Sequence, residues 1–436
     1  MRKKGKYKAI FSKIFNNSLA KGSITYSLSS IINSAIPFFL LPILTRVLTP
    51  SDYGIVSIYS ILISIFSIFI GLNLQGAINR EYFNKKVDFK IYIFNCLIIT
   101  IISFSIAYAI CAIFSKQIFL LTKFPSEYLW TVMLASLFLQ FLAFLLSIYQ
   151  AEKKAVKFSA FQISQTVINV TLSIALVVVL KKGWQGRIYA NLIAAVSVGA
   201  VALLILIFKY SKAKISLEYI IRSLKFGVLL IPHTMGGLLM SLFGRLVIAN
   251  TLGLADTGLY TAALQIASIL SIIEDSFNRA YAPWLYEKLN LNNGQVKLKI
   301  VKFTYIYFII VFIFSLMLGI SSPYLVKIFL GKDFSNSAPI ILWIAIGAAF
   351  NGMYYMVTNY IFYVYKTHIL AAITMICGVT NIPLTIILTK NNGAIGAGQA
   401  YAFSHMLSFI LTWLLSSRVY KMPWKIQIRS FLPRKF

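Results

Sequence analysis

Residues 54–73 read GIVSIYSILISIFSIFIGLN, twenty positions without a charged side chain. As an α-helix, at 1.5 Å per residue, such a run is about 30 Å long, the hydrocarbon thickness of a bilayer. Eleven further runs of this kind lie on either side, at about 23–43, 91–114, 128–149, 159–180, 188–208, 226–247, 258–277, 303–320, 338–359, 369–389 and 396–416. The composition agrees: 59% of the chain is hydrophobic and 12% charged, with a mean hydropathy of +0.81. That excess excludes a soluble enzyme, a disordered chain and a collagenous one. The expected fold is an all-α membrane protein of twelve transmembrane helices.

The net charge is +30, from 41 Lys and Arg against 11 Asp and Glu. On a soluble domain that would suggest nucleic acid, but these charges lie in short loops between apolar runs, and no nucleic-acid partner is expected. Thirty-one of the 41 cations fall on the side of the N-terminal tail and ten on the other. The positive-inside rule therefore places both termini in the cytoplasm of a multi-pass plasma-membrane protein, and an even number of spans agrees. The first run follows Arg2, Lys3, Lys4, Lys6, Lys8, Lys13 and Lys21, and is too long and too late for a cleaved signal peptide. Ile10, Phe11, Ile14 and Phe15 read either as a stripe on a membrane-surface helix or as part of a basic tail. Cys96, Cys111 and Cys377 all sit inside apolar runs and form no disulfide framework. The longest outer loop, 321–337, is too short for a catalytic domain.

Shifting the sequence by 204 positions aligns Leu48, Asp52, Gly54, Ser64, Ile65, Ser67 and Ile68 with Leu252, Asp256, Gly258, Ser268, Ile269, Ser271 and Ile272. We read a duplication. Six spans separate the copies, so both have one orientation, related by an axis along the membrane normal. The implied arrangement is two parallel six-helix lobes around a central cavity, as in transporters. The expected organisation is a basic N-terminal segment (1–22), a first lobe (23–208), a cytoplasmic linker (209–225), a second lobe (226–416) and a basic tail (417–436). Asp52 and Asp256 are placed to cap the helices that follow, with Gly54 and Gly258 allowing close approach.

The run Thr45-Arg46-Val47-Leu48-Thr49-Pro50-Ser51-Asp52-Tyr53-Gly54, followed by Gly71 to Arg80 closing the second span, resembles the polysaccharide flippases of the multidrug/oligosaccharidyl-lipid/polysaccharide exporter superfamily. Gly244-Arg245 and Leu252-Gly253 resemble that family's seventh-span ending, although an acidic residue often precedes the arginine where this chain has Gly244. The resemblance implies a flippase moving an undecaprenyl-diphosphate-linked oligosaccharide from the inner to the outer leaflet of a bacterial plasma membrane, for O-antigen, capsule or similar glycans. Membrane lipids and the glycan polymerase machinery would be its other partners.

A diphosphate calls for arginine, whose planar fork binds two oxygens and stays charged. Arg46 and Arg245, near the outer ends of spans one and seven, and Arg80 and Arg279, near the inner ends of spans two and eight, are the candidates; Arg80 and Arg279 read equally as snorkelling interface residues. Gln162, Gln165 and Asn169 share a face of span five, and Asn351, Tyr355 and Asn359 a face of span ten, either to bond sugar hydroxyls or as interhelical glue. Glu274 and Asp275 are candidates for ion coupling, or for a salt bridge with Arg279. Pro37, Pro42 and Pro232 interrupt the first helix of each lobe, as hinges or as static kinks. There is no phosphate-binding Gly-rich loop, His233, His368 and His405 lack metal spacing, and no cofactor or metal is expected. Two other readings are a cation-coupled multidrug exporter, disfavoured because arginines outnumber acids at membrane depth, and a membrane-embedded glycan polymerase or ligase, disfavoured by the short outer loops.

Overall fold

The computed structural model describes residues 32–424 except 34, 37, 292, 365 and 367. Among them there is no strand, and ten helices are long and apolar enough to cross a bilayer. The last two expected runs join across a break, so the ten cover eleven of the expected twelve; about half of the first run lies outside the described residues.

Short polar signals start the helices. α1 (Pro50–Gly71) opens on a reciprocal cap: the Thr49 amide and hydroxyl donate to Asp52 Oδ2 at 3.1 and 2.9 Å, and the Asp52 amide donates to Thr49 Oγ1 at 3.1 Å. The expected capping role of Asp52 is therefore shared with Thr49. Leu72 and Asn73, both with positive φ, separate α1 from α2 (Leu74–Glu81). Asp88 accepts from the amides of Lys90 and Ile91 to start α3 (Phe89–Ile113). There follow α4 (Ser115–Thr122), α5 (Leu129–Ala151), α6 (Ala155–Ser173), α7 (Gly183–Ile205), α8 (Leu217–Thr251), α9 (Leu254–Asn290), α10 (Gly294–Ile320), α11 (Ser322–Phe329), α12 (Ala338–Tyr363) and α13 (His368–Val419). α13 holds the last two spans; Asn392 and Gly393 (φ 61°) break it.

The described residues form two compact units, one of those up to Leu48 with Ile55–Ile231, the other of Thr49–Gly54 with those from Pro232 onward. In the first, the small residues Ala190, Ala194, Ala195 and Ala202 of α7 are fully buried and bring its backbone against α5. A Cβ on Gly199 would stand 2.4 Å from the Phe138 carbonyl oxygen. In the second, Ala345, Ala348, Ala349 and Gly352 line the buried face of α12. Close approach through small residues suits a bilayer, where burial of apolar side chains brings helices together less than in water.

The outward faces are apolar. Ile102, Ile106, Ile110 and Ile113 of α3 are exposed, and so are Ile306, Ile310, Phe314 and Met317 of α10. Each of the second set lies 204 positions after its counterpart, so the duplication read between residues 48 and 69 extends to the lipid-facing stripe. The repeat also meets itself in the second unit. A Cβ on Gly54 would lie 2.0 Å from the Leu254 carbonyl oxygen, and one on Gly258 would lie 1.9 Å from that of Pro50. Residue 54 thus touches 254 as 258 touches 50, the reciprocal contact a two-fold-related pair must make.

Candidate functional site

The candidate residues divide between the units. In the first, Arg46 is exposed beyond the helical residues 38–44, a stretch that carries Pro42. Pro37 lies outside the described residues. Arg80 closes α2 with its guanidinium 3.7 Å from Glu81 and 5.3 Å from the ring centre of Phe226. Glu81 is buried and holds three groups, Arg80, Asn84 at 2.9 Å and Arg222 at 3.1 Å. Nearby, Glu152 pairs with Lys154 at 2.7 Å and accepts from the Tyr210 hydroxyl at 2.9 Å, and this carboxylate raises the pKa of the Lys154 ammonium above the usual lysine value.

The polar face of α6 is wider than its three predicted members. Thr166 donates to Asn33 Oδ1 at 2.7 Å, and Ser173 donates to the Asn169 carbonyl at 2.6 Å. Arg187 donates to the Asn169 side chain and, at 2.7 Å, to Ser173. Gln162 and Gln165 are half-buried on the same helix.

The second unit gathers most of its candidates between α9 and α12. Asp275 pairs with Arg279 at 2.8 Å, and Asn359 donates to Asn278 at 2.9 Å. Tyr355 and Asn351 are half-buried one and two turns earlier on α12. Glu274 does not join the Asp275–Arg279 pair: it is buried, and neither carboxyl oxygen has a hydrogen-bond partner. Its carboxyl carbon occupies the space a Cβ on Gly352 would need, at 2.5 Å. Tyr355 and Tyr401 lie within its electrostatic reach. Arg245 is half-buried and faces Tyr53, Tyr260 and Tyr401 electrostatically, while His405 stands 4.3 Å from the Tyr401 ring. Pro232 is exposed inside α8, at the residue where the second unit begins.

Two apolar crevices open on the outer surface at equivalent positions of the repeat. The first, of about 410 Å³, is lined by Leu270, Ile273, Phe277, Tyr307 and Ile310 with Glu274 in its wall. The second, of about 400 Å³, is lined by Phe66, Phe69, Ser103 and Ile106. By the 204 offset, Glu274 stands where the other copy has the fully buried Ile70. The repeat therefore replaces an aliphatic side chain by a carboxylate, an exchange that packing alone does not require.

The sequence did not single out Arg187, Tyr260, Tyr401 or Gly352. Arg187 follows Lys181 and Lys182 and reads as part of the loop before a span beginning at 188, whereas α7 begins at Gly183 and carries Arg187 on its second turn. The tyrosines are indistinguishable from core aromatics until their neighbours are known. Among the described residues no group of three or more His, Cys, Asp and Glu could hold a metal ion.

The sequence profile of a family described as polysaccharide biosynthesis protein matches residues 19–288. An uncharacterized membrane protein of Haemophilus influenzae is 31% identical over 359 residues, 80% of this chain and 85% of its own. The Lsg locus putative protein 1 of the same organism is 27% identical over 378 residues, 85% and 91% of the two chains. Among solved structures, the lipid II flippase MurJ in an inward closed conformation is similar with a TM-score of 0.74 at 14% identity, covering 90% of this chain and 87% of that one. The inward-facing conformation of a MATE family multidrug resistance transporter of the MOP superfamily gives 0.72 at 15% identity, covering 90% and 94%.

Proposed function

We propose that this chain, which belongs to the polysaccharide biosynthesis protein family, is a flippase of the MOP superfamily for undecaprenyl-diphosphate-linked oligosaccharides. It moves them from the inner to the outer leaflet of the bacterial plasma membrane for cell-surface polysaccharide such as O-antigen or capsule, by alternating access of its lobes. The observation that carries this reading is the family match over residues 19–288 on a chain with ten described helices long and apolar enough to cross a bilayer. A polysaccharide precursor built on a cytoplasmic lipid carrier must cross that bilayer before it is used outside.

On this reading, Arg80 and Arg279 receive the diphosphate at the inner face, and Arg46 and Arg245 draw it toward the outer face. The amide faces Gln162, Gln165, Asn169 and Asn351, Tyr355, Asn359 bond the sugar. Arg279 does this while also serving Asp275, so its hold on the diphosphate is shared. Glu274 is the better of the two ion-coupling candidates. It is enclosed without a hydrogen-bond donor, so its charge calls for a proton or a small cation, whereas Asp275 already has Arg279. Pro42 and Pro232, with Pro37, are the hinges; the polymerase machinery takes the product.

The test is to delete the gene in its host and profile undecaprenyl-linked glycans by mass spectrometry, with a membrane-impermeant oxidant reporting their sidedness. A complete lipid-linked unit that accumulates shielded on the cytoplasmic side is the expected result and identifies the glycan. The same unit on the exposed side would replace the flippase by a polymerase or ligase. No accumulation, with new drug sensitivity, would replace it by a multidrug exporter.

A further inference from the structure

We propose that the first unit carries an oxyanion subsite built on Arg187, at one end of the amide stripe of α6. It rests on the flippase reading and assigns a substrate group to a residue outside the predicted set.

An arginine one turn inside a span commonly lets its long stem carry the guanidinium back to the headgroups. Arg187 does the opposite. Its guanidinium turns across to α6 and donates through Nη1 to Asn169 and to Ser173, which is fully buried, and its Nε is enclosed by protein. A cation held at membrane depth is costly and marks an ion or substrate pathway more often than a packing device.

The surroundings are polar beyond what these bonds use. Asn191 follows Arg187 by one helical turn, and its Oδ1 is buried without a hydrogen-bond partner; the same holds for Gln162 Oε1 and Asn33 Nδ2 at the other end of the stripe. Nearly all buried amide groups in folded proteins find partners, so three orphans around one stripe call for a ligand that supplies donors and acceptors. Gln162, Gln165, Thr166 and Arg187 are half-buried rather than sealed, so a ligand can reach them. Gln162 to Ser173 spans about 16 Å of helix, long enough for more than one sugar ring.

The ligand that fits is a polyhydroxyl chain with an oxyanion at one end. The hydroxyls match the amides, and the positive charge of the Arg187 guanidinium, fixed in place by its bonds to Asn169 and Ser173, attracts an oxyanion. A lipid-linked glycan offers that oxyanion from two sources, its diphosphate or a carboxylate on an acidic sugar.

The two are separated with the full chain purified in detergent, reading the thermal-melt shift caused by undecaprenyl diphosphate and, separately, by digalacturonic acid. Arg187→Gln keeps a side chain able to bond Asn169 and Ser173 while removing the charge. It is expected to melt within a few degrees of wild type without ligand and to bind the recognised probe about tenfold or more weakly. Arg187→Lys, which keeps the charge but not the fork, should fall between. Asn191→Asp, which leaves Arg187 in place and sets a carboxylate one turn away, should weaken the same probe and keeps the test decisive if Arg187→Gln does not fold. Loss confined to undecaprenyl diphosphate assigns the site to the diphosphate, and loss confined to digalacturonic acid assigns it to an acidic sugar. Wild-type binding retained in both Arg187→Gln and Asn191→Asp overturns the subsite and leaves the flippase reading standing. A wild-type protein that binds neither probe overturns both.

Discussion

Glu274 shows how one residue departs from an otherwise repeated scaffold. Its counterpart is an aliphatic Ile70, both are buried, and the acid fits because Gly352 leaves its Cβ position vacant. Gly352→Ala places a methyl group 2.5 Å from the Glu274 carboxyl carbon, and overpacking of that kind costs about 1–3 kcal/mol. Glu274→Ala in the same background removes the obstacle, so the double variant should melt above Gly352→Ala alone, with a coupling of about 0.5–3 kcal/mol. Simple additivity in detergent melts would mean that the carboxyl does not occupy this space. The acid itself was legible in the sequence as half of the pair Glu274-Asp275. Spacing assigns Arg279 to Asp275, because residues four apart on one helix meet, whereas residues five apart point away from each other; what the sequence left open was that Glu274 is enclosed without a partner, which depends on how α12 packs against α9.

At the scale of the helix, the Asp-x-Gly turn was read as a cap with a close approach, and the two glycines meet each other's copies in the second unit. Gly54→Ala and Gly258→Ala each drive a Cβ to about 2 Å from a backbone oxygen, so main chain has to move. We expect each to cost about 1–3 kcal/mol, and by similar amounts, because the contacts are reciprocal. Gly237→Ala is the control: nothing lies within 4 Å of a Cβ there, and inside α8 alanine should be neutral or raise stability by up to about 1 kcal/mol. A melt in which Gly237→Ala fell as far as the other two would remove the packing argument. The glycines could be read because a close approach acts locally, but the cap holds in one copy alone: Asp52 caps α1 with Thr49, whereas α9 starts after Gly253 without a side-chain cap from Asp256. Helix limits could not be read. α8 and α9 run well beyond the apolar windows 226–247 and 258–277, because hydropathy detects only the part in hydrocarbon, and helices continue past it on charged turns such as Glu287-Lys288. Arg187 was hidden for a different reason: with Lys181 and Lys182 just before it, it lowers the hydropathy of the first turns of α7, so the apolar window opens after it although it lies inside the span.

For the molecule as a whole, orientation and repeat make a joint prediction. Positive-inside counting puts Lys85 and Lys299 in the cytoplasm and Lys116 and Lys332 outside, one of each pair from either half of the chain. A parallel repeat keeps equivalent loops on one side, whereas an inverted repeat would send them to opposite sides. All four lysines are exposed, and the native cysteines Cys96, Cys111 and Cys377 are buried, so a single engineered thiol can be read against a low background. In spheroplasts, a membrane-impermeant maleimide should label Lys116→Cys and Lys332→Cys directly, and Lys85→Cys and Lys299→Cys only after lysis. If Lys85→Cys and Lys299→Cys differed, the parallel reading of the duplication would fail, although the matching exposure of Ile102 and Ile306, and of Ile106 and Ile310, would still need a cause. If all four sites were reversed, the repeat would stand but the polarity would not. Arg80 and Arg279 would then lie at the outer face, and the order in which the arginines meet a diphosphate made in the cytoplasm would have to be inverted with them.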